Sequence, residues 1–409
     1  MLQNVLTIVF AGAVGKHLQP LTEDRAKAAV PFGGKYRLVD FSLTNCLHSG
    51  LRRILVLTQY KSHSLHKHLR DGWSVFNPEL GEYITAVPPQ MRTGDVWYRG
   101  TADALYQNLY LLERSGAESV LLLQGDHVYR MDYEPVIRAH KESGAEVTVI
   151  CREVGKENSN HSNVVDFDSS LRITDIKQVT DAADPVDSQE GSRQSSMGVY
   201  VFSVEALIRV LKHAIREAEA AGRVLDFDAE IIASMVENNT AHAYLFGTEA
   251  GRVSQDRYWR DITTLDEYYA ASMDLLKPVP SIDLYQKEWP VRTYSGQHPP
   301  ARNSPGKMGN EGISVNSIAA TGSVICGGKV QGSILFHDVF IEEEAIIESS
   351  LLFDGVRVGE GAMLRNCIIE KGVTVPEGEI IGHDPRMDKE RFMLTEGGLV
   401  VIPKGFVFS

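Results

Sequence analysis

The sequence predicts an α/β chain in two parts, a doubly wound, Rossmann-like domain followed by a left-handed parallel β-helix. Three observations carry that prediction. Apolar runs of strand length alternate with amphipathic helical stretches through residues 1–285. A stretch rich in Pro, Gly, Ser and Asn then interrupts the chain, giving a linker over 286–316. Beyond it, in 317–409, apolar residues recur with a step of six, the signature of a hexapeptide coil.

Val5–Phe10 is the first strand; no basic segment precedes it, so it does not read as a secretory leader. Ile54–Thr58, Val120–Leu123 and Val147–Cys151 follow as further apolar runs, suited to parallel strands covered on both faces. Ligands of such sheets bind at the carboxyl ends of the strands. Two features sit at such ends, the loop Ala11-Gly12-Ala13-Val14-Gly15 and the triplet Gly125-Asp126-His127. Val204–Ala221 is rich in good helix formers and is stopped by Gly222. In the repeat, the apolar steps fall at Val324, Val330 and Phe336, then Ile341, Ile347 and Phe353, then Val358, Leu364, Ile369, Val375 and Ile381. Antiparallel hairpins of similar alternation would show Asn-Gly or Asp-Gly two-residue turns, which a steady six-residue step does not need. A coil of this kind cannot bury its ends alone and is expected to pack on the first domain or on another subunit.

Composition bounds the function. The 409 residues are 43% apolar and 23% charged, ordinary for a globular protein. A net charge of −13 argues against a nucleic-acid binder but leaves room for a local cationic pocket. No apolar stretch approaches membrane-spanning length. The four cysteines are scattered, which suits reduced thiols in a cytoplasmic protein and neither zinc nor disulfides.

Long strings then point to a family. LTEDRAKAAVPFGGKYRLVDFSLTNCLHSGLRRILVLTQYKSHSLHKHL, VPPQMR, WYRGTADALYQNL, LLLQGDHVYRMDY, SSMGVYVF and YWRDITTLDEYY resemble bacterial glucose-1-phosphate adenylyltransferases, and the likeness runs to the closing GHDPRMDKERF. The resemblance implies that ATP and glucose 1-phosphate give ADP-glucose and pyrophosphate, for glycogen synthesis. It implies Mg²⁺ held by Asp126 and Asp261, a phosphate-contacting Lys27, and an adenine-reading Gln90. Tyr98, Gly100 and Ser196 match positions near glucose and its phosphate, and Gln59 and Trp97 match loop residues that respond to nucleotide. Gly12 and Gly15 belong to the loop that approaches the phosphates. The resemblance further implies a tetramer with effector sites between the domains. Lys35, Arg37, Arg52 and Arg53 are candidates for a phosphorylated-sugar effector, since cationic clusters suit such ligands; a solvated charged face explains them equally.

Against this background several substrate-facing positions depart. The family reads AGGxGTRL where this chain has AGAVGKHL. Ala13 stands for a glycine, so a left-handed backbone there would be disfavoured by roughly 1 kcal/mol or more. His17 stands for the arginine that clamps the leaving phosphates, with Lys16 new beside it. In ITDIKQV, Gln178 and Val179 replace the Glu and Lys that bind glucose and its phosphate, and Lys177 is a displaced substitute. Asn163 replaces a glycine. Asp228, Ala229 and Glu230 replace Gly, Lys and Asp, and Thr263 replaces another glycine. Losing one well-placed charged group commonly lowers rate by a factor of about 10²–10³. The sequence therefore supports a weakly active enzyme, or a non-catalytic regulatory subunit that binds nucleotide, sugar phosphate or effector. The tetramer is either a homotetramer or a heterotetramer with an intact paralogue, and the regulatory subunit would assemble with an active one. A third reading, another nucleotide or sugar, is disfavoured by Gln90 and WYRGTADA.

Overall fold

The structure, a computed structural model, describes residues 2–92, 96–154, 163–178, 193–248, 252–253 and 256–408. Apart from the two-residue pair Pro31–Phe32 and Tyr36–Arg37, the described strands of the first domain are β1 (Val5–Phe10), β2 (Arg53–Leu57), β3 (Tyr83–Val87), β4 (Ser119–Gln124), β5 (His127–Tyr129), β6 (Val147–Val154), β7 (Asn163–Phe167), β8 (Ile173–Gln178), β9 (Arg193–Ser203), β10 (Ala241–Leu245) and β11 (Trp259–Asp261). The main sheet runs β8-β7-β9-β4-β1-β2-β3, with β6 pairing β9 and β10 pairing β6. β3, β2, β1 and β4 are parallel, and the largely apolar, buried runs of β1, β2 and β4 suit that arrangement, while β3 is the more exposed edge. Leu6 and Ile8 face one core with Leu105 and Leu207, while Val5 and Val9 face the other with Val39 and Ile137. The sheet is mixed beyond β4, because β9 runs antiparallel to both β4 and β6. The helix Val204–Ala220 covers one face with Leu207, Leu211 and Ile215 buried at helical spacing.

The second domain is a parallel β-helix built of three flat sheets, consistent with the left-handed winding of hexapeptide coils. Equivalent residues in successive full coils lie 17 apart. Three inward rows fill it. They are Ile325, Ile341, Val358, Val375; Val330, Ile347, Leu364, Ile381; and Leu335, Leu352, Ile369. Three expected positions are thereby corrected. Val324 is only half-buried and its neighbour Ile325 takes the inward place. Phe336 and Phe353 are buried outside the coil, in a cluster with Phe32 and Tyr268 of the first domain. A six-residue count cannot tell Leu335 from Phe336, since both are apolar. Strand alternation assigns one inward and the other outward. Strands Arg302–Ser304 and Ile313–Val315 already pair with the second coil.

That outward aromatic face docks the domains. Phe353 lies 4.7 Å from Phe336 and 6.4 Å from Tyr268 by ring centroids. Beside it, Arg25 reaches Glu370 of the coil at 2.8 Å, with side chains 13% and 2% exposed. Thr395 donates to Asp266 at 2.6 Å, at the start of the helix Leu265–Asp274. Both ties flank the segments that bear Lys27 and Asp261. Removing one member of a buried ion pair strands the other charge. Glu370→Ala is therefore expected to lower unfolding free energy by about 3–5 kcal/mol in a denaturant titration. A loss under about 1 kcal/mol would mean that Arg25 is adequately solvated without its partner.

Candidate active site

The site forms where β4 ends. Gly125 donates to the Phe10 carbonyl at 2.9 Å, and a Cβ at Gly125 would lie 3.0 Å from that oxygen. Asp126 follows directly. The short antiparallel pair β5–β11 sets Asp261 opposite His127, bringing two distant stretches to one place. Lys27 enters from the turn Lys27–Ala29, its Nζ 2.6 Å from Asp126 Oδ2 and 3.2 Å from Asp261 Oδ1. Burial by itself would depress the ammonium, but the two carboxylates outweigh it and hold Lys27 at about 12. Burial likewise pushes Asp126 upward, and Lys27 with His127 overcomes it, leaving the carboxyl below its ordinary range. His127 completes the group, with Nε2 3.7 Å from Asp261 Oδ1 and 4.0 Å from Asp126 Oδ1.

Ligand atoms of Asp126, His127 and Asp261 lie within 4.8 Å of one another. Two carboxylates against one ammonium leave a net negative charge, and carboxylate oxygens are the donors a hard divalent cation takes. The residues fit such an ion. His127 escaped the sequence reading of ligands although it stands in the same triplet as Asp126; a triplet at a strand end was the available signal.

The first loop wraps over Lys27. Lys27 N donates to the Ala13 carbonyl at 3.1 Å, and Thr22 Oγ1 donates to Gly15 O at 2.8 Å. Gly15 takes the left-handed conformation at φ +64°, and a Cβ there would press on Lys27 and Thr22. Gly12 leaves room for Gln59, whose Cβ would stand 3.0 Å from an added Cβ. The expectation for Ala13 is corrected. It is not among the positive-φ residues, so its methyl group carries no left-handed penalty. Lys16 and His17 lie exposed in the turn Lys16–Leu18, where Leu18 is the buried anchor. Among the described residues neither side chain has a hydrogen bond or ion pair.

Gln59 is tied to this rim by a reciprocal pair with Tyr98, accepting from Tyr98 N at 2.6 Å and donating to Tyr98 O at 3.2 Å. Tyr98 OH accepts from Asn108 at 2.8 Å. Gly100 is extended ahead of the helix Thr101–Gln107, Trp97 is exposed, and Gln90 is exposed with its amide on Pro88 O.

A separate pocket of about 160 Å³ gathers Asn163, Gln178, Asp226, Asp228 and Ala229 with Ile176 and Ala233. Ser196 stands at its side, 3.3 Å from Tyr200 OH, which in turn donates to Asp228. Asn163 also bonds Asp228. Asp226 accepts from Ala229 N, and Glu230 is paired with Arg223. Among the described residues the lining thus holds carboxylates and amides and no cation. Lys177 does not fill the gap: it pairs with Asp175 on the exposed side of β8, while Ile176 and Gln178 face the pocket. Val179 lies outside the described residues.

The four basic effector candidates separate. Lys35 and Arg37 line an interdomain cleft of about 350 Å³ together with Lys67, His298, His337 and Lys371. Arg52 and Arg53 do not line it. Arg52 donates to the carbonyls of Leu47 and Leu51 and lies over Phe76, and Arg53 donates to those of Gln3 and Ser115. Two adjacent arginines in one motif read alike in sequence; orphan carbonyls at a helix end and a loop decide their roles.

Paired carboxylates and a buried lysine under a glycine loop, at the carboxyl edge of a mixed α/β sheet, suit the handling of phosphates and a divalent cation. The nucleotidyl transferase family model matches residues 6–278, and a GlmU-like C-terminal hexapeptide model matches 299–402. Over the full length of both chains the sequence is 51% identical to glucose-1-phosphate adenylyltransferase 2 of Vibrio cholerae serotype O1. It is 42% identical to glucose-1-phosphate adenylyltransferase 1 of Alkalilimnicola ehrlichii, covering 98% of this chain and 94% of that one. It is 39% identical to the enzyme of that name from Koribacter versatilis, covering 98% and 96%. The chain belongs to the glucose-1-phosphate adenylyltransferase family.

Two outcomes follow from the geometry. Asp126→Asn is expected to weaken Mg²⁺-dependent ATP binding at least about tenfold by calorimetry, since a charged ligand oxygen is lost; undiminished binding would place the ion elsewhere. Asp228 tests the pocket's charge. Burial raises its carboxyl above the unfolded value of 3.8. Below that pH both states hold the proton; above it the unfolded chain ionises first and stability falls. Asp228→Asn should therefore gain stability over the wild type progressively as pH climbs above about 4. A stability difference that stays flat with pH would contradict the buried acid.

Proposed function

We propose that this chain carries out the adenylyl transfer of its family, from ATP to glucose 1-phosphate, and does so weakly. What supports the reading is the retained Lys27–Asp126–Asp261 group, and a second pocket, taken here as the sugar side, that holds no cation among the described residues. A phosphate oxygen of glucose 1-phosphate bonds to the α-phosphorus of ATP, the bond to the bridging oxygen of the β-phosphate breaks, and pyrophosphate departs with that electron pair. No covalent enzyme intermediate is needed, so positioning and charge neutralisation dominate. Bound Mg²⁺ supplies electrophilic stabilisation of the triphosphate oxygens. Lys27, permanently charged at neutral pH, neutralises phosphate oxygens that approach the two aspartates. The backbone of Gly12 through Gly15 orients the triphosphate, and Gln90 meets the adenine edge. Ser196, Tyr98, Asn163 and Gln178 hold the sugar hydroxyls.

A second reading is favoured by the acidic lining of the sugar-side pocket, which repels a phosphate dianion. In it the chain is a regulatory subunit that binds nucleotide and modulates an intact paralogue in a heterotetramer. The cleft with Lys35 and Arg37 would take a phosphorylated-sugar effector in either case, and both readings place the protein in the cytoplasm, serving glycogen synthesis.

Purified chain with ATP, Mg²⁺ and glucose 1-phosphate, assayed for pyrophosphate, separates them. Slow but measurable release is expected, and His17→Arg with Val179→Lys should raise it by about 10²-fold or more. Robust wild-type turnover would sink the weak-activity reading, and no release with no gain from the double variant would favour the regulatory subunit.

A further inference from the structure

A second cation, Arg152, stands beside the paired aspartates. β6 runs antiparallel to β9, and β9 antiparallel to β4, so the carboxyl ends of β6 and β4 share one edge of the sheet. Arg152 stands near that end of β6, its guanidinium 4.4 Å from the centroid of the Trp259 ring. Trp259 is two residues from Asp261 in β11, and its ring meets His127 edge-on at 4.9 Å. Arg152, Trp259 and His127 are therefore contiguous and abut the paired aspartates.

Each of the three carries a buried nitrogen without a hydrogen-bond partner: Arg152 Nε, Trp259 Nε1 and His127 Nδ1. His127 as a whole is only 6% exposed. Buried donors are nearly always satisfied, and three orphans in contact form an exception that a ligand would explain. An arginine present only to support the tryptophan would have its fork taken up by carbonyls, as Arg52 and Arg53 do. Among the described residues Arg152 makes no hydrogen bond or ion pair. Burial and the nearby Arg260 disfavour its charge while Asp261 favours it, so the site accommodates further negative charge.

We propose that Arg152 is a phosphate-binding residue, which receives the oxygens of a nucleotide's β- and γ-phosphates, or of free pyrophosphate, beside Asp261. The planar fork suits bidentate contact with phosphate, and the stacked indole fixes its plane. Arg152 thereby supplies a permanent positive charge to this side of the site. This assignment rests on the proposed function only in taking a polyphosphate as the ligand.

Calorimetric titration of inorganic pyrophosphate and, separately, ATP, each with Mg²⁺, tests it on the full chain. Arg152→Met and the polar, neutral Arg152→Gln are compared with wild type, with thermal midpoints confirming that each folds. Loss of a charge-assisted contact is expected to weaken pyrophosphate binding by about 10- to 100-fold in both variants, with adenosine affinity unchanged. Unchanged pyrophosphate affinity in either folded variant overturns the assignment and leaves the proposed function standing. Weakened pyrophosphate binding in a chain that forms no ADP-glucose upholds the assignment while the catalytic reading fails. A wild type that does not bind pyrophosphate at all overturns it as well.

Discussion

A buried ammonium between two carboxylates organises this protein. Lys27 is 8% exposed, and its charge is tolerable there only because Asp126 and Asp261 stand within hydrogen-bonding reach. Each of the three arrives by a different route: a tight glycine turn after β4, a three-residue strand pair, and a turn stitched to the first loop. The coil domain braces two of these routes. Arg25, two residues before Lys27, is held by Glu370, and Asp266, five residues after Asp261, is held by Thr395. The second domain is thus part of the scaffold of the site.

The two sides of the site differ in charge. On the side proposed for the nucleotide the carboxylate pair, Lys27 and the glycine loop persist, and Arg152 adds a cation. On the side proposed for the sugar, Asp228 is closed into bonds with Tyr200 and Asn163, and Lys177 is turned away toward Asp175. A phosphate dianion entering that pocket would meet carboxylates and amides. Phosphate transfer depends on charge neutralisation more than on covalent assistance, so this asymmetry bears directly on rate.

Much of this was legible in the sequence, and the failures have physical causes. The inner parallel strands β1, β2 and β4 showed because both faces are covered, leaving apolar runs, whereas the half-exposed edge strand β3 did not. The coil showed through its step, but its phase did not: Leu335 and Phe336 are both buried, one in the coil and one against Tyr268. Long motif strings placed Asp126, Asp261 and Lys27, whereas nothing in spacing shows that β5 and β11 pair. Ala13 looked strained because a glycine is usual there, yet the left-handed position is Gly15. Arg52 and Arg53 looked like ligands because carbonyl partners are invisible in sequence. Arg152 lies outside every recognised string, and only its stacked, unpartnered position marks it.

The most direct test of the account is a pair of equilibrium titrations on the same wild-type chain, one with ATP and Mg²⁺ and one with glucose 1-phosphate. The proposed nucleotide side, with its charges retained, and the proposed sugar side, without a cation among the described residues, predict Mg²⁺-dependent ATP binding, with glucose 1-phosphate weaker by at least about tenfold. Glucose 1-phosphate binding as tightly as ATP would contradict the claim that the sugar side has lost its charge complement.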